Sequence, residues 1–319
     1  MATSAPAKSE PTAQSRPVVR IGDRVFSALT LAAGILILLT LAGVAIFLLI
    51  QSWPVIGAQT TDPEQITGGG FFKYVWPLIL GTLISAVIAL IVATPFALGI
   101  ALFTSHMSPR RLAPFLGYTI DLLAAIPSVV YGLWGLALAG NLVPVYRWLA
   151  ENLGWIPIFA PDAEGTVSQT GRTMLTASLV LAIMILPIIT SLVREVFLQT
   201  PRLQEEAALA LGATRWEMIR MAVLPFGASG ISSAIMLGLG RALGETMAVA
   251  MILSSGAFTW SLVVTGNQTI ASEIAQNFPE AAGLRLSELI SIGLVLFVIT
   301  LLVNMAARAI VARTTVKGN

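Results

Sequence analysis

The chain has 319 residues, of which 56% are hydrophobic and 11% charged, with a mean hydropathy of +0.86. That balance is too apolar for an ordinary soluble domain and defines a polytopic membrane protein. There is no cysteine, which excludes disulfides, thiolate metal sites and cysteine nucleophiles, and the net charge of +2 informs only through where the basic residues sit.

Residues 1–24, rich in Ala, Ser and Pro at their start, read as a disordered tail. About 20 helical residues cross the hydrocarbon core of a bilayer. Six apolar stretches meet that length: residues 25–50, 74–103, 112–139, 173–196, 228–255 and 286–310. The first outlasts the roughly 7–15-residue core of a signal peptide, so it reads as an extra first span that is retained. Pro77, Pro95, Pro127 and Pro187 fall inside spans, where neighbouring helices can re-satisfy the freed backbone groups. Most Lys and Arg residues lie in the N-terminal tail, the 105–111 turn, the 194–225 connection and the C-terminal end, ahead of and within a short tail at 311–319. The opposite loops hold only Lys73, Arg147, Arg172 and Arg285, so both termini are expected in the cytoplasm. The expected fold class is all-α, with six transmembrane helices.

Residues 51–73 form an external loop with a glycine run. The 105–111 turn carries the single histidine, His106, which reads as a solvated loop residue; one histidine without cysteine makes no metal cluster. Asp121, about ten residues beyond Arg111, lies within the third span and either lines the inner mouth of a pathway or makes a polar contact between helices. Residues 140–172 form an outer segment whose Tyr146, Trp148, Trp155 and Phe159 suit the membrane interface or simple loop packing.

The 194–225 connection is far longer than a tight helix-to-helix turn. Thr200 and Pro201 have the chemistry of a helix cap and first helical residue. Leu203 to Leu211 is rich in Ala and Leu, and Gly212 stands where a glycine stops a helix. Thr214 and Glu217 have capping-box spacing and open a second helix. Helix, glycine stop and helix form a compact element protruding from the cytoplasmic face. The alternative is a surface helix resting on lipid headgroups, against which Gln204, Glu205 and Glu206 argue where the lipid is anionic.

Arg241 and Glu245 lie inside the fifth apolar stretch, in the run GLGRALGETMAV. An Arg at mid-membrane costs roughly 2.5–3.5 kcal/mol on insertion scales, so it belongs in a bundle interior or an aqueous path. Four residues apart on one helix, the two side chains share a face and can pair. They read as part of a route for a charged solute, or as a buried ion pair that only sets helix packing. Gly240, Gly244 and Ala248 add a small-residue spacing that permits close helix approach. Glu288, near the outer end of the last span, reads as an interface residue. No Gly-x4-Gly-Lys-Ser/Thr occurs, so no P-loop holds nucleotide. Neither a Gly-x-Ser-x-Gly elbow nor a His-Glu-x-x-His motif occurs, which weighs against an intramembrane hydrolase.

The stretch from Glu206-Ala207-Ala208 through Gly212 to Leu224-Pro225 resembles the signature of permease subunits of bacterial ABC importers. That signature is Glu-Ala-Ala, three residues, Gly, nine residues, Ile, one residue and Leu-Pro; Ala222 stands where the family often has Ile. The runs LLAAIPSVVYGLWGL (122–136), MLGLGRALGETMAV (236–249) and QTIASEIAQNFPEA (268–281) are similar to the phosphate-specific transport permeases of PstC type. The resemblance implies a type I ABC importer permease with a MetI-like core over residues 74–310, forming half of a phosphate pore. It implies that Arg241 and Glu245 attend phosphate passage, with Asp121 a further pathway candidate. It also implies that Glu206, Ala207, Ala208 and Gly212, within a coupling element at 200–225, dock on the ATPase. The implied partners are a homologous PstA-type permease, two PstB-type ATPase subunits and a PstS-type extracytoplasmic phosphate-binding protein, in the lipid of a bacterial inner membrane and without nucleic acid. ATP and Mg would be bound by the ATPase subunits, leaving this chain no cofactor and no enzymatic activity of its own. Another oxyanion (sulfate, molybdate or tungstate) and a non-conducting phosphate sensor are the alternatives.

Overall fold

A computed structural model describes residues 21–61, 66–67, 69–109, 111–256 and 258–316. Of the tail expected over residues 1–24, residues 1–20 lie outside the described residues, as do Gly68, Arg110 and residues 317–319, whereas 21–24 form the start of a helix. The chain divides into a unit at residues 1–47 and another at 48–319. Helix α1 (Ile21–Thr61) begins with Asp23 and Arg24 and is then apolar all round from Val25 onward within the first unit, with Phe26 and Leu38 about 70% exposed, the pattern of a helix facing lipid.

The second unit is built on α2 (Phe71–Leu102) and α5 (Met174–Leu198). One face of α2 is an alanine stripe, Ala86, Ala89, Ala93, Ala97 and Ala101, each at most 1% exposed. Spacings of three and four keep those methyls on one side of a 3.6-residue helix, which lets the larger Ile185, Ile189, Val193 and Phe197 of α5 close on them. Since lipid is as apolar as these side chains, the gain is dense packing rather than escape from water. The same device joins α5 to α8 (Leu224–Gly244). A Cβ on Gly238 would come within 2.7 Å of Ile189, and one on Gly230 within 2.5 Å of Val196.

Among the described residues, six helices are long and apolar enough to cross a membrane: Gly22–Val55, Phe71–Met107, Ser128–Leu153, Met174–Leu198, Arg215–Gly244 and Leu284–Ala309. Two differ from expectation. The third expected span, 112–139, is broken into α3 (Ala113–Ala124) and α4 (Ser128–Leu153). Pro127 is extended at ψ 140 and supplies no N–H, so it separates the helices rather than being absorbed within one. At 12 residues α3 is about 18 Å long, short of a roughly 30 Å core, and α4 makes the crossing. The break is held by Tyr131, whose hydroxyl donates to the Leu123 carbonyl at 3.0 Å. Tyr146 and Trp148, expected in an outer segment, therefore lie in α4. Tyr146 is buried with its hydroxyl 2.6 Å from that of Thr176, whereas Trp148 is exposed.

The fifth expected span, 228–255, is interrupted as well. Helix α8 ends at Gly244, Glu245 is extended (φ −68, ψ 124), and a short α9 (Met247–Ile252) follows. Residues 253–256 and 258–269 then run irregularly, with an isolated backbone bridge between Ser255 and Gly266 and side-chain bonds such as Asn267 to Thr259, into α10 (Ile270–Asn277). Helix α11 (Leu284–Val316) closes the unit and contains residues 311–316 of the expected C-terminal tail.

Between α5 and α8 the 194–225 connection folds as expected into α6 (Arg202–Ala210), a glycine stop and α7 (Arg215–Met218). Gly212 has φ +88, the left-handed conformation that ends a helix without a Cβ penalty, and Ala213 N–H bonds the Ala208 carbonyl at 3.2 Å. Thr214 and Glu217 cap α7 reciprocally. The expected role of Thr200 is not met: Pro201 is the cap residue of α6, and the Thr200 hydroxyl is buried without a hydrogen-bond partner among the described residues.

Candidate functional site

Arg241 lies on α8, one turn from its end, with its side chain exposed. It lines an open groove of about 900 Å³ with Ile188 of α5, Ser233, Met236, Leu237 and Gly240 of α8, and Asn304 and Arg308 of α11. The guanidinium lies within electrostatic reach of the Tyr131 hydroxyl and has no hydrogen bond or ion pair among the described residues. The groove thus offers a charged fork of donors, two further polar side chains and a second guanidinium on otherwise apolar walls. Such a fork matches the geometry of an oxyanion.

The expected pairing of Arg241 with Glu245 is not made. The helix that would align them stops at Gly244, and Glu245 turns inward, 8% exposed, where its carboxylate accepts from the Ala248 N–H at 3.2 Å. Glu245 therefore satisfies a free amide at the start of α9. The other end of α9 is held as closely. Arg172 donates to the carbonyls of Ile252 and Leu253 at 3.1 and 3.0 Å, and Gln276 donates to that of Ala250 at 2.8 Å. With its terminal groups bonded, so short a helix is tolerable at membrane depth. Gly132 of α4 completes the seat, since a Cβ there would come within 2.8 Å of Ala248 Cα. Of the small residues expected to bring helices together, Ala248 is packed in this way, whereas Gly240 and Gly244 face open space.

This division of labour sets an expected result. Glu245→Gln keeps a carboxamide oxygen for the Ala248 amide, so melting temperature and transport stay near wild type. Glu245→Ala removes the cap and costs about 1 kcal/mol of stability. Equal damage from both, measured by thermal melting and uptake, would return the role to the negative charge.

Asp121 sits exposed on α3, does not line the groove with Arg241, and has no hydrogen bond or ion pair among the described residues. Glu206, Ala207 and Gly212 are exposed on the α6–α7 element, and Ala208 packs partly against the core. Leu203 and Leu211, 78% and 91% exposed, and Trp216 present an apolar surface beside them.

Three features escape sequence reasoning. Asn304 and Arg308 join Arg241 in the groove, and their i, i+4 spacing on the last span was the available signal. Glu288 is 1% exposed rather than at an interface. It accepts from the Thr67 N–H and hydroxyl and from Arg285, which also reaches Glu273, itself bonded by Tyr74. One guanidinium shared by two buried carboxylates ties α2, α10 and α11 together at the end opposite α6. His106, expected as a solvated loop residue, lies in a π turn (Phe103–Met107) that continues α2, with its side chain 8% exposed.

Helices crossing a bilayer around a polar groove, with a protruding pair of short helices at one end, define a membrane permease. Residues 93–316 match the model of the family described as binding-protein-dependent transport system inner membrane component, and the chain belongs to that family, in its PstC branch. It is 49% identical to the Phosphate transport system permease protein PstC 2 of Mycobacterium tuberculosis over 92% of this chain and 93% of that protein. It is 44% identical to PstC of Mycobacterium leprae (95% and 97% covered) and 38% identical to PstC of Haemophilus influenzae (91% and 93%). The fold is similar to a chain of a bacterial alginate ABC transporter solved with an alginate pentasaccharide-bound periplasmic protein, at TM-score 0.58 and 17% identity, covering 93% of this chain and 99% of that one. It is also similar to a chain of the inward-facing MetNI methionine ABC transporter, at TM-score 0.50 and 18% identity, covering 75% and 93%.

Proposed function

We propose that this chain is one half of the pore of an ATP-driven importer of inorganic phosphate. The observation that carries the reading is Arg241: an unpaired guanidinium exposed in a groove between membrane-crossing helices, in a chain akin to proteins named phosphate transport permeases. Phosphate travels as a mono- or dianion that hydrocarbon rejects, and a fixed fork of donors offsets part of that desolvation. Conduction also needs release, so binding has to stay weak. Ser233, Asn304 and Arg308 extend the polar wall beyond Arg241 for that purpose, and Glu245 holds the α8–α9 break that ends it. Asp121, exposed on α3, has no part in this wall and is left as a polar residue at the mouth.

On this reading the α6–α7 end lies in the cytoplasm, with both termini inside, in a bacterial inner membrane, an orientation that the bias of basic residues supports. There Glu206, Ala207, Ala208, Gly212 and the exposed leucines form the docking surface for two ATPase subunits, which bind ATP and Mg. A PstA-type permease closes the open groove, and a PstS-type binding protein delivers phosphate at the other face. The test is to purify the chain with its ATPase, reconstitute it with the binding protein and offer labelled phosphate, sulfate, molybdate and tungstate. ATP-dependent uptake confined to phosphate is expected. Uptake of another anion instead would overturn the substrate, and ATPase association without uptake of any would favour a non-conducting sensor.

A further inference from the structure

We propose that His106 is a positioning residue, a latch that ties α6 to α2 so that displacement of the docking element reaches the packed interior of the membrane unit. The proposal rests on reading α6–α7 as the surface on which the ATPase acts. Nε2 of His106 donates to Glu205 Oε1 of α6 across 3.3 Å. On the other side Nδ1 lies 2.7 Å from the Ser105 hydroxyl, and the ring meets buried Phe197 of α5 edge-on, with centroids 6.3 Å apart. The imidazole is thus wedged between the ends of α2 and α5 with one nitrogen extended to α6. The π turn of residues 103–107 supports this placement, since the extra residue in the turn rotates a side chain that would otherwise follow the register of α2.

Helix α6 has few other holds on the core. None of its residues is buried, and among the described residues Glu205 to His106 is the one hydrogen bond from an α6 side chain to another element. Apart from the partial packing of Ala208, its most extensive neighbours are α7 and the π turn at Ile219–Val223, both on the same connection. Motion of α6 therefore passes to α5 and α8 through the chain itself, whereas the end of α2, which carries the alanine stripe against α5, is joined to α6 directly by this bond.

The latch survives a change of protonation. The Ser105 hydroxyl has one proton and two acceptors at 2.7 Å, the Ala101 carbonyl and Nδ1. When it donates to Nδ1, the proton of a neutral ring sits on Nε2; when it donates to the carbonyl, a ring protonated on both nitrogens meets it with Nδ1–H. Both arrangements leave Nε2–H for Glu205. Arg202 and Arg215 also line this cavity of about 810 Å³.

The experiment uses the complete importer in proteoliposomes with wild type, His106→Ala, His106→Gln, Glu205→Ala and the double alanine variant. Binding-protein-stimulated ATP hydrolysis and labelled phosphate uptake are read in the same vesicles, with complex yield and melting temperature as controls. His106→Ala and Glu205→Ala should hydrolyse ATP at near the wild-type rate but move about tenfold less phosphate per ATP. The double variant should be no worse than either single one, and His106→Gln, whose amide can still donate to Glu205, should recover most of the ratio. An unchanged ratio in the alanine variants, additive losses in the double variant, or no rescue by Gln would overturn the latch. Should His106→Ala not assemble, Glu205→Ala removes the same bond from an exposed helix and decides the matter. A wild-type complex that hydrolyses ATP without taking up phosphate would instead strike the transport reading, and the latch with it.

Discussion

Replacing Arg241 by Ala is expected to lower phosphate uptake by the reconstituted importer at least ~30-fold while the complex still assembles and its ATPase still responds to loaded binding protein. The two halves of that expectation have separate causes. Assembly survives because the side chain is exposed and forms no hydrogen bond or ion pair among the described residues, so truncation removes no contact on which the fold depends. Uptake falls because truncating one partner of a desolvated charge-assisted pair costs about 2–5 kcal/mol, and each ~1.4 kcal/mol is a factor of ten. Arg241→Lys keeps the charge and loses the planar fork, so an intermediate rate is expected. Initial rates of labelled phosphate uptake at saturating ATP measure both. Wild-type uptake by the alanine variant would remove Arg241 from the pathway and leave the groove as a feature of packing alone.

A large structural effect is expected from a single methyl at Gly81 of α2. A Cβ there would overlap the backbone carbonyl oxygen of Gln268 and crowd Met174. Backbone cannot swing aside as the end of a side chain can, and this stretch is pinned on both sides. The Gln268 side chain bonds Ser255 and Gln276, and two residues on, the Ile270 N–H donates to the Thr82 hydroxyl at 3.0 Å. Overpacking costs about 1–3 kcal/mol, and a buried amide parted from its acceptor adds about 1–3 kcal/mol. Gly81→Ala should therefore destabilise the detergent-solubilised protein by roughly 2–6 kcal/mol, seen as a large fall in melting temperature and in recovered complex. A wild-type melting curve would show that the 268–270 segment can move away from α2.

Features legible in the chain are those encoded within a few residues of themselves. The apolar runs, the glycine stop at Gly212 and the capping box of Thr214 and Glu217 all draw on the hydrogen-bond pattern of a single turn, and the structure has each of them. Proline was legible but ambiguous. Pro77, Pro95 and Pro187 sit inside helices as expected, whereas Pro127 separates α3 from α4, and nothing local distinguishes the cases. The break at Glu245 carried even less signal. It persists because Arg172, Gln276 and Glu245 satisfy the ends of α9 and because Gly132 leaves room for it, and three of those four residues are distant in the chain.

By itself, then, the sequence determined a helical membrane protein with an arginine inside an apolar stretch and a helix–glycine–helix element at one end, because hydropathy and capping act over one or two turns. Only the tertiary structure decided that Arg241 and Glu245 part company, that the third crossing is made by α4, and that Glu288 bonds Thr67 across 221 positions and His106 bonds Glu205 across 99. Hydrogen bonds of that sequence separation depend on where whole helices pack, and the packing is set by the alanine face of α2 against α5 rather than by any residue near the bonded pairs.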